Sequence, residues 1–146
     1  MPGGKYRFEV NVTSTAPAER LFALVTDAPS WSAWARPLAG SWDRAGDAHG
    51  GVGAIRRIGR PPVWLRERTV GYEPGRRHAY ELLTPGPVRD YSAEVLFTER
   101  PDGGTDVRWQ GTFRPTVPGT GPALAAGARL LIGRLARRLV AAAERG

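Results

Sequence analysis

The chain contains no cysteine, which excludes disulfide bonds, thiolate metal ligands and cysteine nucleophiles. It has only two histidines, His49 and His78, in different segments, and this scarcity argues against a histidine-rich metal centre or a Ser-His-Asp triad. No segment is apolar for the length that a membrane-spanning helix needs, and the first residues lack a signal-peptide core. We therefore expect a cytoplasmic protein that uses no metal and no cofactor.

Lysine is almost absent as well. Lys5 is the only one, so arginine supplies nearly all of the 21 basic residues, which outnumber 14 acidic ones for a net charge of +7. Because arginine binds phosphate well, a basic surface that binds an anionic partner is one hypothesis. The arginines are spread over most segments, however, and no aromatic residue lies among Arg129, Arg134, Arg137 and Arg138. We therefore interpret arginine as the ordinary surface cation here and expect no nucleic-acid partner.

What the chain does have is enough apolar sequence for a core. Hydrophobic residues make up 41% of its 146 residues, a normal value for a soluble globular domain. We find no internal repeat and no linker, and predict a single domain over residues 1–146. Either a monomer or a homodimer is compatible with these features.

The longest regular pattern lies at the C-terminus, where the residues from Pro122 onward have the period of an α-helix. Its predicted apolar face consists of Leu124, Ala128, Leu131, Leu135, Leu139 and Ala142, with Ile132 at the edge. The arginines lie on the opposite side. An apolar stripe of this length needs a partner surface, which the rest of the chain must supply.

The preceding residues predict that surface as a sheet. A strand over Tyr6–Val12 leads into two short helices, the first ending near Asp27 and the second carrying Trp31 and Trp34. Further strands are predicted over Ser41–Arg44, Val52–Ile58, Trp64–Tyr72, Arg77–Thr84, Val88–Thr98 and Thr105–Arg114. Short gaps between them favour a meander of hairpins. The predicted fold is α+β: a curved six- to seven-stranded antiparallel sheet around a long C-terminal helix, with two short helices between strands 1 and 2.

Several short motifs are similar to those of one superfamily. They are Phe8-Glu9-Val10, the stretch from Ala16 to Asp27, Gly50-Gly51-Val52-Gly53, the Tyr72–Arg77 hairpin before Tyr80-Glu81-Leu82, and the turn from Gly103 to Trp109. On these motifs the chain resembles START-like proteins of the SRPBCC superfamily, and most closely their polyketide cyclase/dehydratase-like branch. The resemblance covers nearly the whole chain and implies a helix-grip fold with an interior pocket for an apolar or aromatic ligand. It implies no particular reaction, because the superfamily contains carriers, sensors and enzymes.

Strand parity and the helix stripe together predict which residues line such a pocket. The predicted ligand-binding residues are Trp34, Tyr80, Leu82, Tyr91, Ala93, Trp109, Gly111, Leu124, Ala128 and Leu131. The small residues Ala93, Gly111 and Ala128 should leave volume for a ligand, and the tyrosine hydroxyls and indole N–H groups would supply polar contacts. The alternative interpretation is ordinary core packing with no ligand.

Glu67 and Tyr91 are the candidate catalytic residues. Glu67 alternates with Arg66 and Arg68, so its side chain either faces the interior or lies on the outer face of the strand. In the interior its pKa would be raised and it could act as an acid or base. On the outer face it would form an ion pair with Arg56, Arg66 or Arg68.

Two further polar sets are candidates for chemistry. His78 and Asp90 lie on neighbouring predicted strands and could form a histidine–carboxylate pair. Arg56 and Arg57 must point to opposite faces of their strand, so one of them could bind an acidic group of a ligand.

Three functions remain open from the sequence. The first is binding of a small hydrophobic or aromatic metabolite, lipid- or polyketide-like, in an internal cavity. The second is a polyketide cyclase/dehydratase-type enzyme that uses Glu67, Tyr80 and Tyr91 as acid/base groups. The third is the basic surface module that binds an anionic partner.

Overall fold

The computed structural model describes residues 4–44 and 51–146, so His49 and Gly50 lie outside the described residues. Its strands are β1 Tyr6–Ser14, β2 Ala39–Arg44, β3 Ile55–Arg60, β4 Val63–Glu73, β5 Arg77–Leu82, β6 Val88–Glu99 and β7 Thr105–Pro115. Its helices are α1 Ala18–Thr26, α2 Trp31–Trp34 and α3 Gly121–Arg145, and a 3₁₀ turn over Ala28–Ser30 precedes α2. None of these helices is both long and apolar enough to cross a membrane.

The strands form one antiparallel sheet in the order β1-β7-β6-β5-β4-β3-β2. The predicted meander from β2 to β7 is therefore confirmed, and β1 adds to its far edge by pairing with β7, with Tyr6 opposite Phe113. The third strand was predicted to begin at Val52 and instead begins at Ile55, because Gly51 to Gly53 form a turn in which Val52 is exposed. The predicted α+β helix-grip architecture is confirmed.

A bulge in β6 sets which of its side chains face α3. Arg89 pairs with Arg114 and Ser92 with Thr112, so two residues of β6 stand opposite one residue of β7. One of the two is Asp90, whose φ of 53° lies in the left-handed region that bulges accommodate. Strict alternation would place Val88 and Tyr91 on opposite faces, but the extra residue brings both to the inner face.

Both ends of α3 are fixed against the sheet. At its C-terminal end the Glu144 carboxylate accepts hydrogen bonds from the Ser14 hydroxyl (3.0 Å) and the Thr15 N–H (2.9 Å). At its N-terminal end Gly121 packs so closely on Tyr6 that an added Cβ would lie 2.2 Å from the ring. Both contacts are made with β1 or the residue that follows it, so the helix runs along this edge strand over the inner face of the sheet.

The buried face of α3 is rotated relative to the predicted stripe. Its buried residues are Gly121, Ala125, Ile132, Gly133, Leu135, Ala136, Leu139 and Ala143. Ile132 is thus central, whereas Leu131 is 51% exposed and Leu124 is half-buried. The apolar arc of this helix is wider than one stripe because alanines flank the leucines, so periodicity alone did not fix which part of the arc meets the sheet.

Candidate ligand-binding cavity

A cavity of about 220 Å³ lies between the inner face of the sheet and α3. Its apolar lining consists of Trp31, Leu38, Ile58, Gly59, Leu65, Leu82, Val88, Trp109, Ala128, Leu131, Ile132 and Leu135. Its polar lining is Glu67, Tyr80 and Tyr91. A volume of this size has room for on the order of ten non-hydrogen atoms, which is less than most drug-sized ligands need.

Seven predicted site residues lie in this lining. They are Glu67, Tyr80, Leu82, Tyr91, Trp109, Ala128 and Leu131. They come from β4, β5, β6, β7 and α3, and strand parity brought the members from the sheet to one face. Their role toward a ligand stays a prediction.

Trp34 and Leu124 were predicted in the pocket and are absent from its lining. The ring of Trp34 packs against Trp31, with 4.7 Å between centroids, and its indole N–H donates to the Ser30 hydroxyl at 3.2 Å. Trp31 takes the place at the cavity, because residues three apart share one side of a helix and only one of them can reach the interior space. Leu124 lies on the same side of α3 as Ala128 and Leu131 but one turn nearer the N-terminus of the helix, where it is half-buried beyond the end of the cavity.

Ala93 and Gly111 also lie outside the lining, and the prediction that their small size leaves room for a ligand is wrong. A Cβ at Gly111 would lie 2.7 Å from the ring of Phe8, so the missing side chain makes room for that phenylalanine of β1. Ala93 is its cross-strand partner and belongs to the same packed core. Small residues on facing strands thus accommodated a large neighbour.

The remaining lining residues were not predicted as ligand-binding. Leu38 lies between predicted elements, and Gly59 lies in β3 directly after the strand predicted over Val52–Ile58. Val88 can be placed on the inner face of the sheet only when the β6 bulge is known. Ile132 was placed at the edge of the helix stripe, and its central position follows from the rotation of α3.

Arg56 and Glu67 form an ion pair in the protein interior. They lie directly opposite each other on β3 and β4, and the Arg56 Nε is 3.0 Å from the Glu67 Oε1. The Arg56 side chain is only 2% exposed and that of Glu67 12%. Both interpretations of Glu67 were therefore half right, since the carboxylate faces the interior and also pairs with Arg56.

The environment of Arg56 holds its guanidinium in a fixed place. Its Nη1 donates to the Val25 carbonyl oxygen at 2.6 Å, and its charge lies 4.9 Å from the ring centre of Trp31 and 5.4 Å from that of Tyr80. Such contacts over aromatic faces stabilise a cation removed from water. Of the two adjacent arginines, Arg56 is the one that points inward, and its charge is neutralised by Glu67.

Burial raises the pKa of Glu67, and the nearby Arg56 charge opposes that rise. One carboxylate oxygen, Oε1, accepts the Arg56 bond, while Oε2 has no hydrogen-bond partner among the described residues. Glu67 is thus the one ionisable carboxylate of the lining, and one of its oxygens is available to a ligand.

Two tyrosine hydroxyls lie next to Glu67. The Trp109 indole N–H donates to the Tyr80 hydroxyl at 3.1 Å, and the Tyr80 and Tyr91 rings lie 6.4 Å apart between their centres. Burial raises the pKa of both tyrosines, and the Glu67 charge raises it further. The hydroxyls therefore stay protonated and can donate to an oxygen of a ligand.

His78 is buried beside this cluster but does not meet Asp90. Its Nε2 lies 3.3 Å from the Thr69 hydroxyl, its ring stacks on Tyr80, and Nδ1 has no partner within the described part of the chain. Asp90 is in the β6 bulge, 3.6 Å from the Arg114 Nε. The predicted histidine–carboxylate pair is wrong, because His78 stands opposite Val95, several residues along β6 from Asp90.

Two other concavities lie on the outer face of the sheet, with volumes of about 410 and 450 Å³. They are open grooves, and charged side chains in them are already paired, as Arg77 is with Glu94 at 2.8 Å. Within residues 4–44 and 51–146, no group of three histidine or acidic side chains is arranged to hold a metal ion. The interior cavity is therefore the better candidate site.

The fold and this cavity define a helix-grip protein of the START-like superfamily. The family model described as polyketide cyclase / dehydrase and lipid transport matches residues 5–144. The chain belongs to this family, and the resemblance noted in its motifs is confirmed.

Solved structures agree on the fold. An uncharacterised protein of Bacillus thuringiensis superposes with a TM-score of 0.76 at 17% identity, covering 94% of this chain and 98% of that one. Ara h 8.0201 gives a TM-score of 0.75 at 15% identity, covering 98% and 100%. XoxI of Bacillus cereus gives 0.69 at 19% identity, covering 97% and 95%. At these identities the likeness shows the fold alone.

Proposed function

We propose that the protein binds a small hydrophobic or aromatic metabolite in the cavity under α3. The observation that carries this proposal is the composition of the lining: twelve apolar residues surround one polar cluster formed by Glu67, Tyr80 and Tyr91. Ligand sites are typically apolar spaces with a few convergent polar groups. The description of the family, which includes lipid transport, agrees with this proposal.

The volume and the polar cluster define the ligand class. A ligand of about ten non-hydrogen atoms fits, such as a one- or two-ring aromatic compound or a short lipid-like chain. A hydroxyl on its inner end would donate to Glu67 Oε2 or accept from Tyr91. A permanently charged group at that end is disfavoured, because leaving water for an apolar space costs an ion several kcal/mol.

The direct test is calorimetric titration with 1-naphthol, whose size of about eleven non-hydrogen atoms matches the cavity. At about −0.5 kcal/mol per atom the expected dissociation constant is on the order of 0.1 mM, with one site per chain. Indole and phenol serve as smaller probes. Absence of saturable binding by all three compounds would contradict the proposal.

A second function, proton transfer of the polyketide cyclase/dehydratase type, is favoured by Glu67 alone. Its free Oε2 could accept a proton from a carbon next to a ligand carbonyl, while Tyr91 or Tyr80 donates to the resulting enolate oxygen. Exchange of the acidic protons of 2-tetralone in D2O, followed by NMR, tests this chemistry. Acceleration by the wild type that disappears in Glu67→Gln supports an enzyme, and exchange at the buffer rate leaves only binding.

A further inference from the structure

Apolar side chains surround the mouth of the cavity and face solvent. Leu65 of β4 and Leu131 of α3 both line the cavity, yet they are 42% and 51% exposed, so the opening lies between them. Val63, two residues from Leu65 on the same face of β4, is 69% exposed, and Leu130 beside Leu131 is 76% exposed. Leucine and valine exposed on both sides of one opening form a local apolar surface.

Positive charge predominates on the exposed segments near this opening. Residues 55–66, which form β3 and the start of β4, and residues 121–138 of α3 contain eight arginines and no aspartate or glutamate. Arg56 pairs with Glu67 and Arg66 with Asp43, and the other six have no carboxylate within ion-pair distance among the described residues. Arg60 ends β3 opposite Val63, and Arg134 lies within one helical turn of Leu130 and Leu131. We call Val63, Leu65, Leu130, Leu131, Arg60 and Arg134 the mouth surface.

The arginines of the mouth surface differ from several arginines of the outer face, which pair with carboxylates: Arg66 with Asp43, Arg68 with Glu81, Arg77 with Glu94, and Arg100 with Asp106. Arg57 of the outer face instead lies over the Trp64 ring, 5.2 Å from its centre. Arg60 and Arg134 have no carboxylate within ion-pair distance among the described residues. Their charge is therefore available to an external anion, at the place where the apolar side chains are exposed.

We propose that the mouth surface docks on an anionic lipid bilayer. The leucines and Val63 would enter the headgroup boundary while the arginines contact lipid phosphates, the combination by which amphipathic surfaces bind membranes. Docking in this orientation places the cavity opening against the bilayer, so an apolar ligand passes between lipid and protein without crossing water. Docking on the bilayer does not depend on ligand binding. Only the passage of a ligand between bilayer and cavity rests on the proposed function.

A second copy of the chain fits this surface less well. A two-fold dimer through it would place the same surface of each copy against the other, and with it the unpaired Arg134 side chains. Like charges removed from water repel strongly, and no acidic residue of 121–138 could offset them. An anionic bilayer neutralises these arginines and also accepts the apolar side chains.

Sedimentation with vesicles tests the proposal on the ligand-free protein. The chain should bind vesicles of phosphatidylcholine and phosphatidylserine in a 7:3 ratio and not vesicles of phosphatidylcholine alone. Binding should weaken as salt is raised, because the arginine contacts are screened. As no ligand is added, this result is independent of 1-naphthol binding, and either proposal can fail without the other.

Variants locate the contact. Arg60→Gln with Arg134→Gln should weaken vesicle binding roughly thirty-fold, about five-fold per arginine, and Leu130→Ser roughly ten-fold. The charge control is Arg7→Gln with Arg108→Gln, which removes the same charge from the outer face. The apolar control is Val70→Ser, an exposed valine of that face. Both controls should bind within two-fold of the wild type.

Four results would overturn the proposal. The first is an equal loss of binding in the two double variants, which would indicate an effect of net charge without a defined surface. The second is no binding to the anionic vesicles, and the third is binding of soluble inositol hexakisphosphate as tight as binding of vesicles. The fourth is a dimer that Leu130→Ser dissociates. The inositol phosphate distinguishes a phosphate site from a bilayer, and analytical ultracentrifugation detects the dimer. An acidic protein as the partner would give the second result.

Discussion

Arg56 and Glu67 are directly opposite each other on β3 and β4, and their 3.0 Å ion pair lies behind the wall of the cavity. The pair explains how an apolar cavity tolerates a carboxylate in its lining. Arg56 supplies the opposite charge, and the Val25 carbonyl and two aromatic rings hold Arg56 in place. The polar end of the cavity therefore depends on a residue that does not line it.

The first prediction concerns the coupling of this pair. Glu67→Leu leaves a buried arginine that cannot lose its charge and should lower the free energy of unfolding by about 3–5 kcal/mol. The double variant Glu67→Leu with Arg56→Met should recover much of that loss. Urea unfolding of both single variants and the double variant at pH 7 measures the coupling.

The matched control for that cycle is the outer-face pair Arg68–Glu81, whose side chains are 47% and 34% exposed. Arg68→Met and Glu81→Leu should show a coupling below about 1 kcal/mol. Additive losses at Arg56 and Glu67 would mean that the two charges do not depend on each other.

A second prediction follows from His78. Burial, helped by the Arg56 charge, holds its pKa well below 6.5, so below pH 6.5 the unfolded chain binds a proton that the folded chain does not. Stability should therefore fall as the pH drops below 6.5, with a slope of at most about 1.4 kcal/mol per pH unit. Urea unfolding between pH 5 and 7 measures it.

His78→Gln should remove this slope, because glutamine does not titrate and can still bond to Thr69. His49→Gln is the comparison, since His49 is the only other histidine. If the slope survived in His78→Gln and disappeared in His49→Gln, the pH dependence would have to be assigned to His49 and the prediction for His78 would be wrong. The raised pKa of Glu67 acts oppositely, since it lowers stability as the pH rises above 4.5, so the difference between variants is the quantity to compare.

The third prediction separates packing from ligand binding at Gly111. Gly111→Ala places a Cβ 2.7 Å from Phe8 and 2.9 Å from the Ser92 carbonyl oxygen. It should destabilise the protein by about 1–3 kcal/mol and leave the affinity for 1-naphthol unchanged at a temperature where the fold persists. Thermal unfolding and calorimetry measure the two effects.

Gly127→Ala is the control for that substitution. Gly127 lies inside α3 with nothing within 4 Å of an added Cβ, so alanine should raise stability by up to about 1 kcal/mol. If Gly111→Ala left stability unchanged but weakened naphthol binding, the result would indicate that Gly111 contacts the ligand.

The fourth prediction concerns the polar end of the cavity. Wild-type protein should bind 1-naphthol about ten-fold more tightly than naphthalene, because one hydrogen bond to Glu67 or Tyr91 contributes about 1 kcal/mol or slightly more. Glu67→Leu and Tyr91→Phe together, made in the Arg56→Met background that removes the unpaired charge, should reduce that preference to about two-fold, because neither leucine nor phenylalanine can bond to the hydroxyl. Ligand-detected NMR titration measures both compounds under the same conditions.

Tyr72→Phe is the control, since Tyr72 packs on Phe22 and does not line the cavity. It should keep the ten-fold preference. A preference that persists when Glu67 and Tyr91 are both replaced would show that the hydroxyl binds elsewhere.

Much of the architecture follows from local sequence patterns. Alternation in β5 and β7 placed Tyr80 and Trp109 on the inner face, and turn residues located every hairpin between β3 and β7. These elements are predictable because each has one solvent-exposed and one buried face. Apolar residues therefore recur with a period of two in a strand and 3.6 in a helix.

The details of the cavity depend on contacts between segments that are distant in sequence. The choice between Trp31 and Trp34 depends on how α2 meets the sheet, and the role of Gly111 depends on Phe8, about a hundred positions away. The β6 bulge at Asp90 shifts the alternation without a glycine to mark it. The inward direction of Glu67 becomes decidable only when Arg56 is known to lie opposite, which requires the strand register.

The most direct test of ligand binding is to fill the cavity from α3. Ala128 lines the cavity, whereas Ala126, half a turn away, is exposed and outside it. Ala128→Phe and Ala126→Phe make the same change on the same helix, and Ala128→Leu is a milder version should the first variant unfold. Circular dichroism and thermal unfolding establish that each variant is folded before calorimetric titration with 1-naphthol. We predict that Ala128→Phe, or Ala128→Leu, weakens binding at least ten-fold while Ala126→Phe binds like the wild type; equal affinity in all of them would contradict a ligand site under α3.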